Sequence, residues 1–220
     1  MASTFILSGI MLFIAHLSFL NPEITPLVPV LKSYWLTIHV SMEAGSYGFL
    51  MLGGIIGLLN LILFAVISFN PKQADVFNHQ INQLTLLSER TITGGLIMLS
   101  IGTYLGGVWA NESWGRYWGW DAKETWALIS IMVYALILHM RFIPFLRGNY
   151  AFNVASIFGF ATIIMTYFGV NYYLSGLHSY AAGDPVPVPV WVYIASAAVL
   201  MLSILAYFGK RRVERGEFRV

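Results

Sequence analysis

The chain has 220 residues, of which 58% are hydrophobic and only 10% charged. A soluble domain carries about 25% charged residues, so composition argues against a water-soluble globule and for a membrane protein. The formal charge of +2 reflects a basic C-terminal tail and points to no nucleic-acid partner; without cysteine the chain has no disulfide or thiolate chemistry of its own.

Apolar runs near the ~20 residues that a bilayer demands alternate with short polar stretches. In chain order they predict six spans, at Ser3–Leu20, Gly45–Phe69, Thr91–Trp109, Glu124–Phe142, Phe152–Tyr172 and Val190–Phe208. The fold class expected is therefore an all-α integral membrane protein in one membrane domain, 1–220. The opening MASTFILSGIMLFIAHLSFL has no basic leader and no small-residue cleavage site, and reads as a retained helix. One side of the six-span topology carries Lys72, Arg90, Arg141, Arg147, Lys210, Arg211, Arg212, Arg215 and Arg219, and the other only Lys32, Arg116 and Lys123. Basic residues stay in the cytoplasm, so both termini are expected there. Segments 21–44, 110–123 and 173–189 then fall outside, with His39, His178 and most of the tryptophans.

Residues 109–126 read WANESWGRYWGWDAKETW and hold five of the seven tryptophans: Trp109, Trp114, Trp118, Trp120 and Trp126. An interfacial aromatic belt accounts for two or three of them at span ends. Five in one segment, spaced by Gly115 and Gly119, predict a shelf of aromatic faces for a large flat apolar ligand. Arg116 and Lys123 are suited to carboxylates on such a ligand. Asp121 and Glu124 form the D-x-x-E pattern of a helix capping box, which is their simplest role.

Neutral imidazoles are common iron ligands, and two of them hold haem without an open position. His39 precedes the second span; if that helix extends outward, Trp35 and Glu43 share its face, and Glu43 is placed to orient the imidazole. His178 follows the fifth span, ahead of a proline-rich stretch that favours extended backbone. Two external histidines flanking the aromatic segment predict ligation of one haem. His139 lies within the fourth span, where an ionisable group faces a bundle interior or cavity. His16 lies ~20 Å along its span from the cytoplasmic end and His139 ~5 Å from that end of its own, a level difference of roughly 15 Å. His16 is therefore expected to be structural, and any partner of His139 to come from another chain.

The run WGRYWGWDAKETWALI resembles the WWD signature of the cytochrome c assembly proteins, the haem-handling family that includes CcsA (ResC) and CcmC. WGWDAKETWALI running into a span is most similar to CcsA of the System II cytochrome c synthase, and the resemblance extends from about Ser33 to the basic tail. The six expected spans match CcmC in size, whereas CcsA proteins often have more. The resemblance implies that His39 and His178 are axial ligands of a haem b contacted by Trp114, Trp118, Trp120, Asp121 and Arg116. It implies that His139 belongs to an internal haem site whose second ligand comes from a CcsB (ResB)-like subunit. It further implies haem presentation to an apocytochrome c Cys-x-x-Cys-His segment, as a subunit of a holocytochrome c synthase. Its expected home is the bacterial inner membrane with the haem site periplasmic, or less readily a thylakoid membrane. The alternative is a b-type cytochrome subunit of a respiratory complex, whose ligands usually lie within helices; here the two candidates are expected in loops.

Overall fold

The computed structural model describes residues 8–10, 13, 33–178 and 187–215. Two units separate between Lys32 and Ser33. In the first, the described residues are helical; the expected span Ser3–Leu20 and His16 otherwise lie outside the described residues. The second unit consists of α1 (Tyr34–Phe69), α2 (Ala74–Trp114), α3 (Ala122–His139), α4 (Asn149–Ile164), a π-turn over Met165–Gly169, α5 (Val170–Tyr173) and α6 (Val190–Arg215). Among the described residues, five helical stretches are long and apolar enough to cross a membrane, with α4, the π-turn and α5 forming one of them. This is the architecture of an integral membrane protein.

Helix α1 is central and packs on α2, α4 and α6, while α3 lies against α2 and α4. One core joins Leu50, Ile92, Leu99, Tyr134, Phe152 and Ile163 from α1 to α4; a second joins Leu61, Phe64, Ile67, Ala74, Ile81 and Ala206. Between them lies a polar knot, in which the Asn60 amide donates to Thr85 Oγ1 (3.0 Å) and Asn153 Oδ1 (2.9 Å). Such side chains tie helices together where lipid supplies no water to compete.

Two boundaries differ from expectation. Helix α1 begins at Tyr34 rather than near Gly45, carrying His39 and Glu43 on a helix instead of a loop. Helix α2 begins at Ala74, so most of the stretch 70–90, expected as a cytoplasmic loop, is helical. Hydropathy marks where a helix meets lipid, not where it stops: Ala74, Ile81, Thr85 and Ser88 are buried at helical spacing and keep α2 packed on its neighbours. At 41 residues α2 is about 60 Å long, twice the ~30 Å hydrocarbon core, whereas α3 with 18 residues is about 27 Å and matches it. The Arg141–Glu89 ion pair (3.0 Å) sets the end of α3 level with the middle of α2. The α1–α2 hairpin thus runs past that end of α3.

Candidate functional site

At the opposite end of the bundle, four segments meet. Ser33 precedes the first residue of α1, and its hydroxyl, rather than capping that helix, donates to Glu112 Oε2 on the last turns of α2 (2.8 Å). Helix α2 stops at Gly115, whose backbone is left-handed (φ 72°). Only Gly115–Asp121 then separate α2 from α3, so the expected external segment is short, with Trp109 and Trp114 on α2 and Trp126 on α3. The Asp121–Glu124 capping box forms as the sequence predicts: Glu124 Oε2 accepts the Asp121 amide (3.2 Å) and also that of Gly119 (2.8 Å).

His39 and His178 both reach this end and border the same indole. Trp109 is 1% exposed; its ring lies 6.3 Å from His39, nearly parallel at 13°, and 5.6 Å from His178. Trp114 packs edge-on against Trp109 (4.7 Å) and His178 (5.0 Å). The His39 Nδ1–H donates to the Gly102 carbonyl at 2.7 Å. That contact needs α1 and α2 very close: a Cβ at Gly106 would sit 2.6 Å from His39 Cε1. Glu43, expected to orient His39, stands 4.0 Å from that nitrogen and instead accepts the Thr103 hydroxyl (3.1 Å). The nearer carbonyl accepts the imidazole N–H.

His178 donates from Nδ1 to Asp121 Oδ2 at 2.7 Å, and the Leu177 amide donates to Asp121 Oδ1 at 2.7 Å. Asp121, expected mainly as a cap, therefore also holds the loop that follows α5. Burial alone would raise its pKa, but the hydrogen bonds from His178, Leu177 and Lys123 outweigh that and hold the carboxyl below the ordinary range. Burial pushes His178 below its ordinary value, although the Asp121 carboxylate pulls the other way. Both imidazoles thus commit Nδ1–H to a protein acceptor, leaving the lone pair on Nε2, the form in which histidine binds a metal.

The remaining expected residues divide. Trp118 and Trp120 form a separate T-shaped pair (5.7 Å), with Trp120 70% exposed and left-handed at φ 57°. A bulky residue in that region is strained, and such strain gathers at functional sites. The Arg116 guanidinium packs over Gly119. The Lys123 ammonium donates to Asn171 Oδ1 (3.1 Å). His139 ends α3, so it lies about 27 Å along the helix from Asp121 and belongs to no common site with the other two histidines. It is exposed, and its Nδ1–H donates to the Ala135 carbonyl (2.7 Å). Trp109, one of the five tryptophans of the expected shelf but not one of the haem contacts that the resemblance implies, closes an apolar run and so has no signal in the sequence that sets it apart from a border tryptophan. Among the described residues no group of three or more histidine, cysteine, aspartate or glutamate side chains gathers as a metal site. Two imidazoles among indoles are a set of side chains that could hold a porphyrin iron.

The model of a family described as cytochrome C assembly protein matches residues 1–178. Protein NrfI of Wolinella succinogenes is 52% identical over 207 residues, covering 94% of this chain and 23% of NrfI. The cytochrome c biogenesis protein CcsA of Chlamydomonas reinhardtii is 44% identical over 158 residues, 72% of this chain and 44% of that protein. CcsA of Guillardia theta is 41% identical over 196 residues, 80% of this chain and 65% of its own length. The chain thus spans from about a quarter to just under two thirds of these relatives.

Proposed function

This chain belongs to the cytochrome c assembly protein family, close to its CcsA members, and from that premise we propose that it handles haem during cytochrome c biogenesis. Haem b is the cargo, held at the tryptophan-rich end by His39 and His178. The observation that carries this reading is the pair of imidazoles on one buried indole, each with Nδ1–H engaged by a protein acceptor, the tautomer whose Nε2 lone pair binds iron. Bound haem supplies two vinyl groups; each cysteine thiol of an apocytochrome Cys-x-x-Cys-His segment adds its sulfur to one vinyl carbon and its hydrogen to the other.

The chain's own residues contribute positioning. His39 and His178 fix the iron, Trp109 and Trp114 fill the space beside the imidazoles and exclude water, and Trp118, Trp120 and Arg116 form the outer wall. Holding the cargo in one orientation turns thioether formation into an encounter of two aligned partners. The basic end faces the cytoplasm and the tryptophan-rich end the periplasm of a bacterial inner membrane. His139, exposed at the basic end, joins a ligand from a CcsB-like subunit in an internal site that feeds the outer one. The expected contrast with respiratory b-type cytochromes, ligands in loops rather than helices, fails at His39, which lies on α1. Family membership is what favours assembly.

Pyridine haemochrome analysis of the purified chain tests the ligand pair. His39→Ala and His178→Ala are each expected to lose the outer haem, and His139→Ala to lower total haem with the outer residues intact. Wild-type haem content in both outer variants would refute the assignment.

A further inference from the structure

The two outer imidazoles are not equivalent. His39 donates to a neutral backbone carbonyl, with the nearest carboxylate 4.0 Å away. His178 donates to a carboxylate whose side chain is 4% exposed. That carboxylate is itself gripped from three sides: the Leu177 amide on Oδ1, the His178 ring on Oδ2, and the Lys123 amide on Oδ2 at 3.3 Å. Gly176 backs it so closely that a Cβ there would run into Oδ1. A single side chain therefore starts α3, pins the loop after α5 and chooses the tautomer of His178.

We infer that Asp121 is the positioning residue of His178, fixing its ring and Nδ1–H tautomer and making it the more electron-rich of the two axial ligands. A charge-assisted hydrogen bond is roughly twice as strong as a neutral one. A carboxylate behind a metal-binding histidine raises its basicity, and removing such a partner costs about 10- to 100-fold in metal affinity or activity. A more electron-rich imidazole favours ferric over ferrous iron, so Asp121 lowers the midpoint potential where Gly102 has less influence. The inference rests on the reading of His39 and His178 as ligands, but the tautomer itself needs no haem.

Two measurements separate these levels. In the haem-free chain, 15N NMR should find both imidazoles as Nδ1–H. Asp121→Ala should shift His178 alone toward the Nε2–H form, with His39 on Gly102 as the internal control. His178 keeping Nδ1–H without the carboxylate, or lacking it in the wild type, overturns the inference. If both rings change because the fold is lost, Asp121→Asn decides, since asparagine caps a helix as well as aspartate. In the haem-loaded chain Asp121→Asn should retain haem yet raise the midpoint potential; a tenfold shift in ferric preference is about 59 mV for one electron. Gly176→Ala, whose Cβ would run into Asp121 Oδ1, should move the potential the same way. An unmoved potential in Asp121→Asn overturns the inference while leaving the ligand pair intact; an unaltered haem content in His178→Ala overturns the ligand pair instead.

Discussion

His178 and Asp121 together decide how the site responds to acid. Burial holds His178 below its ordinary pKa, against the pull of Asp121 and Glu124 and with help from the charge of Lys123. A free imidazole titrates near ~6.5, so an unfolded chain takes up a proton before the native ring does, and stability falls as pH drops through that value. Asp121 has its carboxyl held low, so its contribution is complete above the ordinary carboxyl value of about 3.9 and fades as pH falls toward the native one. Both shifts work in one direction. Relative to His178→Gln, the thermal unfolding midpoint of the wild type in detergent should fall as pH is lowered through about 6.5. A wild-type-minus-variant difference that rises on acidification contradicts this account.

At the scale of elements, the seam between α1 and α2 delivers His39 to its acceptor. Gly95, Gly102 and Gly106 lie along α2 where Leu50, Glu43 and His39 of α1 approach, and a Cβ at any of them would crowd its neighbour. Gly106→Val should push His39 off the Gly102 carbonyl at a cost of about 1–3 kcal/mol for overpacking. Haem content is then expected to drop although both ligands remain, while the His178 tautomer stays as it was; unchanged haem content would show that the seam does not position His39. The capping box at Asp121 was legible in the sequence because it is a contact between residues three apart. The partnership of Asp121 with His178 was not, because it joins positions 57 apart in sequence. The inner extension of α2 was hidden for a related reason: Ala74, Ile81, Thr85 and Ser88 pack on neighbours at helical spacing, while Asp75, His79, Gln80, Asn82 and Gln83 are exposed, and a hydropathy run cannot distinguish so polar a helix from a loop. Glu43 is not the hydrogen-bond partner of His39: the i+4 spacing brings its carboxylate to 4.0 Å, while Gly102 on another helix brings a carbonyl to 2.7 Å.

For the whole molecule, chemistry is segregated by end. Lys72 lies where α1 turns into α2, Arg141 and Arg147 lie between α3 and α4, and Lys210 lies beside Tyr150 of α4, whereas His39, His178, Trp109, Trp114, Trp118 and Trp120 lie toward the other end. That separation was readable from the alternation of apolar runs and the bias of basic residues, because both follow from the bilayer itself. The chain contains no cysteine, so single cysteines report sidedness without background. Exposed positions at the tryptophan-rich end are Tyr34, Tyr117 and Leu177, and at the basic end Lys72 and Phe145. In intact cells, a membrane-impermeant thiol reagent should label Tyr34→Cys, Tyr117→Cys and Leu177→Cys, and reach Lys72→Cys and Phe145→Cys only after permeabilisation. Labelling of position 34 and position 177 from opposite sides of the membrane would contradict a single outer haem site.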